Sequence, residues 1–381
     1  MKIAFLSHLD LNLYLFRLPI MQRLIEEGHE VYAICPKGEK FDAFSQFGIK
    51  AIAYDIERSS LNPLKEIKAI YNIYRAIKPL KLDILHTFTA KPNIYGTIAG
   101  KMAKVPTIIN LVEGLGSFYI EESLKNRVVR TMIEKLYQIV FTFSNQVVFV
   151  NSDDPAYLQS KNIIATNKII IIKSVGIDTE VFSPDKFDAE QLVALKRELG
   201  VEDKCIVLMV ARAIWHKGIE EFYEAASLLE GDKSIQFILV GDVDKGNPSS
   251  VEKSYLETGA VLWLGHRDDI ASLTAMSDIY VLPSYREGVP RTLLEAASMA
   301  KPIITTDTVG CREVVREGEN GYLIPTKDAQ ALAQKIAYLA THPEVRKIMG
   351  ENGRIRAIKA FDIKKVLEQY MKLYARLEGK K

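Results

Sequence analysis

The sequence predicts an α/β protein made of two doubly wound parallel-sheet domains facing a cleft. Short runs of β-branched and other apolar residues recur along the chain, separated by longer stretches of helical periodicity. The pattern breaks once, between about residues 175 and 200, before a second series begins. Continuous apolar strands alternating with amphipathic helices imply parallel sheets covered on both faces. With 381 residues, 48% of them apolar, the chain has material for two cores.

The first series opens with Lys2–Leu6, a buried strand, and a helix over Phe16–Glu27 that carries Leu18, Met21, Leu24 and Ile25 inward and stops at Gly28. Glu30–Cys35 is the next strand, and a short helix follows over Asp42–Phe47. Ala51–Tyr54, Ile84–His86, Thr107–Ile109, Val147–Val150 and Ile169–Ile172 continue the strands. After the break at Phe182-Ser183-Pro184 comes a charged helix, Asp185–Gly200. The second series is Cys205–Val210, Gln236–Val240, Val261–Leu264, Ile279–Leu282 and Lys301–Thr305. Helices over Glu344–Ala357 and Phe361–Glu378 close the chain. The expected domains are therefore 1–180 and 190–355, with a helix over 358–381 that can dock on either domain, packing back on the first being one of the two choices. In folds of this class ligands bind beyond the carboxyl ends of the strands.

Composition narrows the function. A formal net charge of +2 lacks the basic stripe of a nucleic-acid binder, so none is expected as a partner. Cys35, Cys205 and Cys311 lie far apart without metal-ligand spacing and read as small buried apolar residues of a reducing compartment. Met1–Ser7 is too short an apolar run for a signal segment, and Ile139–Val150 is too short and interrupted to span a bilayer. No Asp-x-Asp pair or His/Cys set of ligand quality stands out, so no metal is expected; Asp153-Asp154 beside Pro155 reads as a helix start.

Two loops after strands carry the chemistry. Leu282 leads into Pro283-Ser284-Tyr285-Arg286-Glu287-Gly288-Val289-Pro290, and a helix starts near Arg291 or Thr292. Amides at such a start, with glycine allowing close approach, suit a diphosphate. Glu287 lies before that helix and Glu295 one turn into it, where a carboxylate accepts hydrogen bonds from a ribose diol; stabilisation of the helix dipole is the competing explanation of both. The second loop follows Val210. Its Arg212 and Lys217 can direct fixed positive charge at a leaving group, unless they are ordinary surface pairs.

These residues carry a resemblance. Arg212, Lys217-Gly218, Gly241-Asp242, Gly265 and the Glu287-x7-Glu295 pair follow the order seen in retaining GT-B glycosyltransferases of family four. More narrowly, Ser7-His8, Phe16-Arg17, Ser59-Ser60-Leu61-Asn62-Pro63, Val112–Ile120, Lys173–Ile177 and Trp215-His216 resemble the bacterial PglA-type enzymes. The resemblance implies that Arg212 and Lys217 hold the donor diphosphate, helped by amides of the segment made of Gly288, Val289, Pro290, Arg291 and Thr292, in which Pro290 has no N–H to give. It implies Glu295 on the ribose, Glu287 at the sugar and reacting face, and His266, Arg267 and Ile270 beside the uracil, near Gly241. Where many family members carry a histidine in the loop at 110–114, this chain has Glu113. Acceptor binding, sugar orientation and acid/base work all stay open for it, as does a plain ion pair.

The implied reaction moves N-acetylgalactosamine from UDP-N-acetylgalactosamine, in α-1,3 linkage, to undecaprenyl-diphosphate-linked N,N'-diacetylbacillosamine, without a cofactor. The first domain would bind the acceptor and face the membrane; the second would bind the nucleotide sugar. Residues 1–180 hold 22 Lys and Arg against 18 Asp and Glu, and Lys101, Lys104, Lys125, Arg127, Arg130 and Lys135 lie among Met102, Leu124, Val128, Val129, Met132 and Ile133. A basic apolar helix binds anionic lipid, so the expected place is peripheral, on the cytoplasmic face of the bacterial inner membrane; packing on its own sheet is the alternative. A related transfer from another donor such as UDP-N-acetylglucosamine, a GT-B epimerase or phosphorylase, and a non-catalytic scaffold remain as alternatives.

Overall fold

A computed structural model describes residues 1–57 and 62–378. Ser59, Ser60 and Leu61 of the PglA-type motif lie outside the described residues. The chain forms two compact units: Met1–Val175 with the described residues from Val366 onward, and Gly176–Lys365.

The first unit has seven strands: β1 (Lys2–Leu6), β2 (Glu30–Cys35), β3 (Lys50–Ala53), β4 (Ile84–Phe88), β5 (Thr107–Val112), β6 (Gln146–Phe149) and β7 (Ile169–Ile171). They pair in parallel in the order β3-β2-β1-β4-β5-β6-β7. The order reverses direction between β1 and β4, which makes the ends of these two strands the switch point where open sheets of this kind bind ligands. Buried Ala4, Leu6, Ile34, Leu85 and Ile108 pack with Ile73 and Ile77 of the helix Pro63–Ile77 to form one core layer. On the same face of the sheet, Val140 and Phe141 of the helix Leu124–Phe143 pack with Val147 and Phe149.

The helix expected over Phe16–Glu27 starts at Leu18, and a separate helix that the sequence did not suggest precedes it. The structure has Asp10–Phe16 and Leu18–Glu26, separated by Arg17 with φ −122° and ψ −14°. Pro19, in the first turn of the second helix, has no N–H to bond back to Leu15 and its ring crowds that carbonyl, so a continuous helix cannot pass. Asp153 and Asp154 fall in the first turn of the helix Asp153–Ser160, and the Asp154 carboxylate accepts from Asn151 Nδ2 at 2.9 Å.

The second unit has six strands: β8 (Cys205–Val210), β9 (Ile235–Val240), β10 (Val261–Trp263), β11 (Ile279–Leu282), β12 (Ile303–Thr306) and β13 (Gly321–Ile324). All pair in parallel in the order β10-β9-β8-β11-β12-β13, with the switch point between β8 and β11. β13 is absent from the sequence reading because its four residues bury only the two ends, leaving no alternation to detect.

The helix Leu124–Phe143 buries Val129, Tyr137, Val140 and Phe141, and Ile133 is half-buried, so these residues do not join a surface patch. Leu124, Val128, Met132, Ile139 and Phe143 form an exposed apolar stripe on the same helix. Lys125, Arg127 and Lys135 are exposed along it, and Lys101 Nζ lies 5.8 Å from the Phe143 ring. Arg130 instead bonds the Phe118 carbonyl and pairs with Glu122 at 3.0 Å. No helix among the described residues is long and apolar enough to cross a membrane.

Candidate active site

In the second unit, strand order brings the loops after β8 and β11 side by side. The chain leaves β8 at Val210, turns through Arg212 and the short 3-10 segment Trp215–Lys217, and enters the helix Ile219–Leu228. Gly218 makes the corner with φ 81°, and a Cβ there would sit 2.2 Å from the Pro283 carbonyl oxygen, so only glycine lets the two loops approach this closely. The His216 carbonyl ties the loops together by accepting from the Tyr285 amide and the Ser284 hydroxyl, each at 3.0 Å. Tyr285 Oη in turn donates to Glu221 Oε1 at 2.7 Å.

This arrangement pairs Lys217 Nζ with Glu287 Oε1 although 70 residues separate them. Both side chains are largely but not completely buried, so the pair is open to a ligand while screened from bulk water. Glu287 is also held through its backbone, whose N–H donates to Val309 at 3.1 Å. Beneath it Gly310, with φ 83°, has no room for a Cβ, which would meet the Gly288 carbonyl at 2.3 Å.

The helix Arg291–Ser298 begins at the first of the two expected positions. Pro290 is its N-cap and no side chain caps the first turn, which leaves the electropositive end to an anion. Glu295 is buried one turn in, with Arg291 Nε 3.0 Å from its Oε1. Burial pushes its carboxyl up to about 7, with Arg291 pulling the other way. Burial of this degree disfavours the charged form unless a ligand supplies hydrogen bonds to it.

Arg212 takes a different course. It is more than half exposed and its Nη1 pairs with Asp244 Oδ2 at 2.5 Å. Asp244, which also accepts from Asn247 Nδ2 at 2.8 Å, was not singled out in the sequence. It belongs to an Asp242-x-Asp244 spacing, but Asp242 Oδ1 is engaged with the Val243 amide. Among the described residues no three His, Cys, Asp or Glu are grouped as they would be around a metal ion.

The loops after β9 and β10 lie on the other side of β8. The Gly241 amide donates to the Gly265 carbonyl at 2.8 Å and its own carbonyl accepts from Trp263 Nε1 at 2.8 Å. His266 is exposed beside Asp268, while Arg267 makes a two-pronged pair with Asp269 at 2.8 and 2.6 Å. Ile270, half-buried, opens the helix Ile270–Met276.

Glu113 belongs to the first unit, directly after β5. Arg17 Nη2 donates to its Oε1, and Asn12 Nδ2 reaches Oε1 and Oε2 at 3.4 and 3.3 Å. His8, after β1, shares a 2.6 Å hydrogen bond with Thr89 Oγ1, after β4.

The chain matches the model for glycosyl transferases group 1 over residues 194–356 and that for glycosyl transferase 4-like proteins over residues 2–151. It is 39% identical to N,N'-diacetylbacillosaminyl-diphospho-undecaprenol alpha-1,3-N-acetylgalactosaminyltransferase of Campylobacter jejuni, covering 99% of each chain. The chain belongs to the PglA-type GT-B glycosyltransferases. The transferase is also 27% identical to an Escherichia coli UDP-Gal:alpha-D-GlcNAc-diphosphoundecaprenol alpha-1,3-galactosyltransferase, over 92% of this chain and 90% of the relative. Its fold matches a glycosyltransferase from Rickettsia africae with TM-score 0.81 at 22% identity, covering 99% and 98% of the two chains. An Anabaena protein solved in complex with UDP matches with TM-score 0.80 at 20% identity, covering 99% of this transferase and all of that chain.

Proposed function

We propose that the chain transfers N-acetylgalactosamine from UDP-N-acetylgalactosamine to undecaprenyl-diphosphate-linked N,N'-diacetylbacillosamine, in α-1,3 linkage and with retention. The observation that carries this reading is the full-length likeness to the Campylobacter jejuni enzyme of that name. The second unit takes the donor. Arg212 and Lys217 supply positive charge to the diphosphate, the uncapped first turn at Val289–Thr292 adds amide donors, and Glu295 accepts from the ribose hydroxyls. Glu287 contacts the sugar, and the loop from Gly265 to Ile270 flanks the base. The acceptor hydroxyl oxygen bonds to the anomeric carbon on the face from which the diphosphate leaves. As the carbon–oxygen bond to UDP breaks, the hydroxyl proton passes to a departing phosphate oxygen. Lys217 offsets the charge that grows there, and Glu287 keeps Lys217 in place.

The acceptor is a lipid, and the first unit offers a surface for one. The exposed stripe Leu124, Val128, Met132, Ile139 and Phe143, edged by Lys101, Lys125, Arg127 and Lys135, suits peripheral attachment to an anionic leaflet at the cytoplasmic face of the inner membrane. A panel of UDP-sugars assayed with the bacillosamine-linked acceptor tests the reading. Lipid-linked disaccharide formed from UDP-N-acetylgalactosamine is the expected result. Consumption of UDP-N-acetylglucosamine alone would overturn the donor assignment and leave the transfer reaction standing.

A further inference from the structure

Arg17 is fully buried, at the break between the helices Asp10–Phe16 and Leu18–Glu26. A buried guanidinium normally needs most of its donors satisfied. Here Nη2 alone is hydrogen-bonded, to Glu113, while Nε and Nη1 are buried without a hydrogen-bond partner among the described residues. The guanidinium carbon lies 4.9 Å from the Phe88 ring centroid, a contact that fixes its orientation. Behind it, burial and the charge of Arg17 hold His86 well below the ordinary histidine range, so the wall is neutral there. His86 is anchored by a 2.7 Å bond between its Nδ1 and Tyr374 Oη. A methionine would fill such a space at less cost in desolvation. What it could not do is hold Glu113.

Glu113 sits at the carboxyl end of β5, beside the switch-point strands, with its side chain about a quarter exposed. Arg17 engages one carboxylate oxygen, whereas among the described residues Oε2 has only the 3.3 Å contact with Asn12. A carboxylate has room for about four hydrogen bonds, so this oxygen has capacity left on the open side. We propose that Arg17 is a positioning residue that fixes Glu113 so that its open oxygen accepts a hydrogen bond from a hydroxyl or amide N–H of a sugar substrate. Arg17 has no proton to relay, and the pair therefore orients a substrate. This inference rests on the sugar-transfer reading and adds the residue on which Glu113 depends.

The test compares the full-length wild type with Glu113→Gln, Arg17→Met, Arg17→Lys and the double variant Arg17→Met/Glu113→Gln. Turnover is followed by varying donor and acceptor separately, alongside thermal midpoints. Loss of one charge-assisted hydrogen bond predicts a fall in kcat/KM of about 10- to 100-fold for Glu113→Gln and for Arg17→Met. The double variant should be no worse than either single one, because both remove the same interaction. Arg17→Lys keeps the charge without the fixed planar geometry, and should recover part of the loss while giving a folded protein if Arg17→Met does not. A KM rise confined to the acceptor assigns the bond to the acceptor sugar, and one confined to the donor assigns it to the donor sugar. Multiplying losses in the double variant, or wild-type turnover in folded Glu113→Gln or Arg17→Lys, overturns the inference alone. A wild type that turns over no donor–acceptor pair overturns the sugar-transfer reading and this inference with it.

Discussion

If Glu295 binds the donor ribose as proposed, donor affinity should depend on pH with a sign set by the burial of its carboxyl. Burial raises its carboxyl to about 7, against the pull of Arg291 at 3.0 Å. A ribose diol donates hydrogen bonds, so it binds the ionised carboxylate. One unit below the raised value, at about pH 6, roughly a tenth of the protein carries that form; at about pH 8 roughly nine-tenths does. Donor affinity should therefore tighten about tenfold across this interval, about 1.4 kcal/mol. Calorimetry with UDP-N-acetylgalactosamine is the suitable assay, because its doubly esterified diphosphate does not itself titrate there as the terminal phosphate of free UDP would. Titration in two buffers of different ionisation enthalpy should show about one proton released at the low end and almost none at the high end. Glu295→Gln should flatten the profile. A flat wild type, or an equal slope in the glutamine variant, would refute the assignment of Glu295 to the ribose. Folding responds in the opposite sense: the native carboxyl binds its proton more tightly than the unfolded one near 4.5, so its contribution to stability falls as pH rises from there through about 7.

Lys217→Ala should lower kcat by about 10²- to 10³-fold, with a change in thermal stability of at most about 1 kcal/mol, since the pair is partly exposed; steady-state kinetics and a melting curve check both. Gly218→Ala combines a left-handed backbone with a clash against the Pro283 carbonyl, and should cost about 1–3 kcal/mol in denaturant titration while weakening donor binding. Tyr374→Phe leaves His86 Nδ1 unpaired in a buried site and should destabilise the protein by about 1–3 kcal/mol. Val128→Asp with Met132→Asp should sharply reduce sedimentation with anionic vesicles while the secondary structure by circular dichroism is kept; undiminished sedimentation would place membrane contact elsewhere.

The fold was legible where strands are buried on both faces. Ile3 to Leu6 and Ile206 to Met209 are apolar throughout because every side chain meets a helix layer. β13 was not legible, since an edge strand of four residues leaves no period to read. Lys217 and Glu287 were each visible as residue types after strands, yet their pairing depends on β8 lying next to β11, which local pattern cannot reveal. Asp244 and Glu221 escaped for the same reason, because their importance comes from Arg212 and Tyr285 on other loops. Arg17 was legible only as part of a motif. On an amphipathic helix an arginine ordinarily faces water, and it was Pro19 that broke the helix around it.

Retaining transfer of N-acetylgalactosamine is tested most directly by the structure of the product. Wild-type protein incubated with UDP-N-acetylgalactosamine and the diphosphate-linked bacillosamine acceptor should yield a disaccharide whose anomeric configuration and linkage are read by nuclear magnetic resonance. An α-1,3-linked N-acetylgalactosamine, matching the α configuration of the donor, is predicted. A β-linked sugar, attachment at another position, or UDP release without a lipid-linked product would contradict the account.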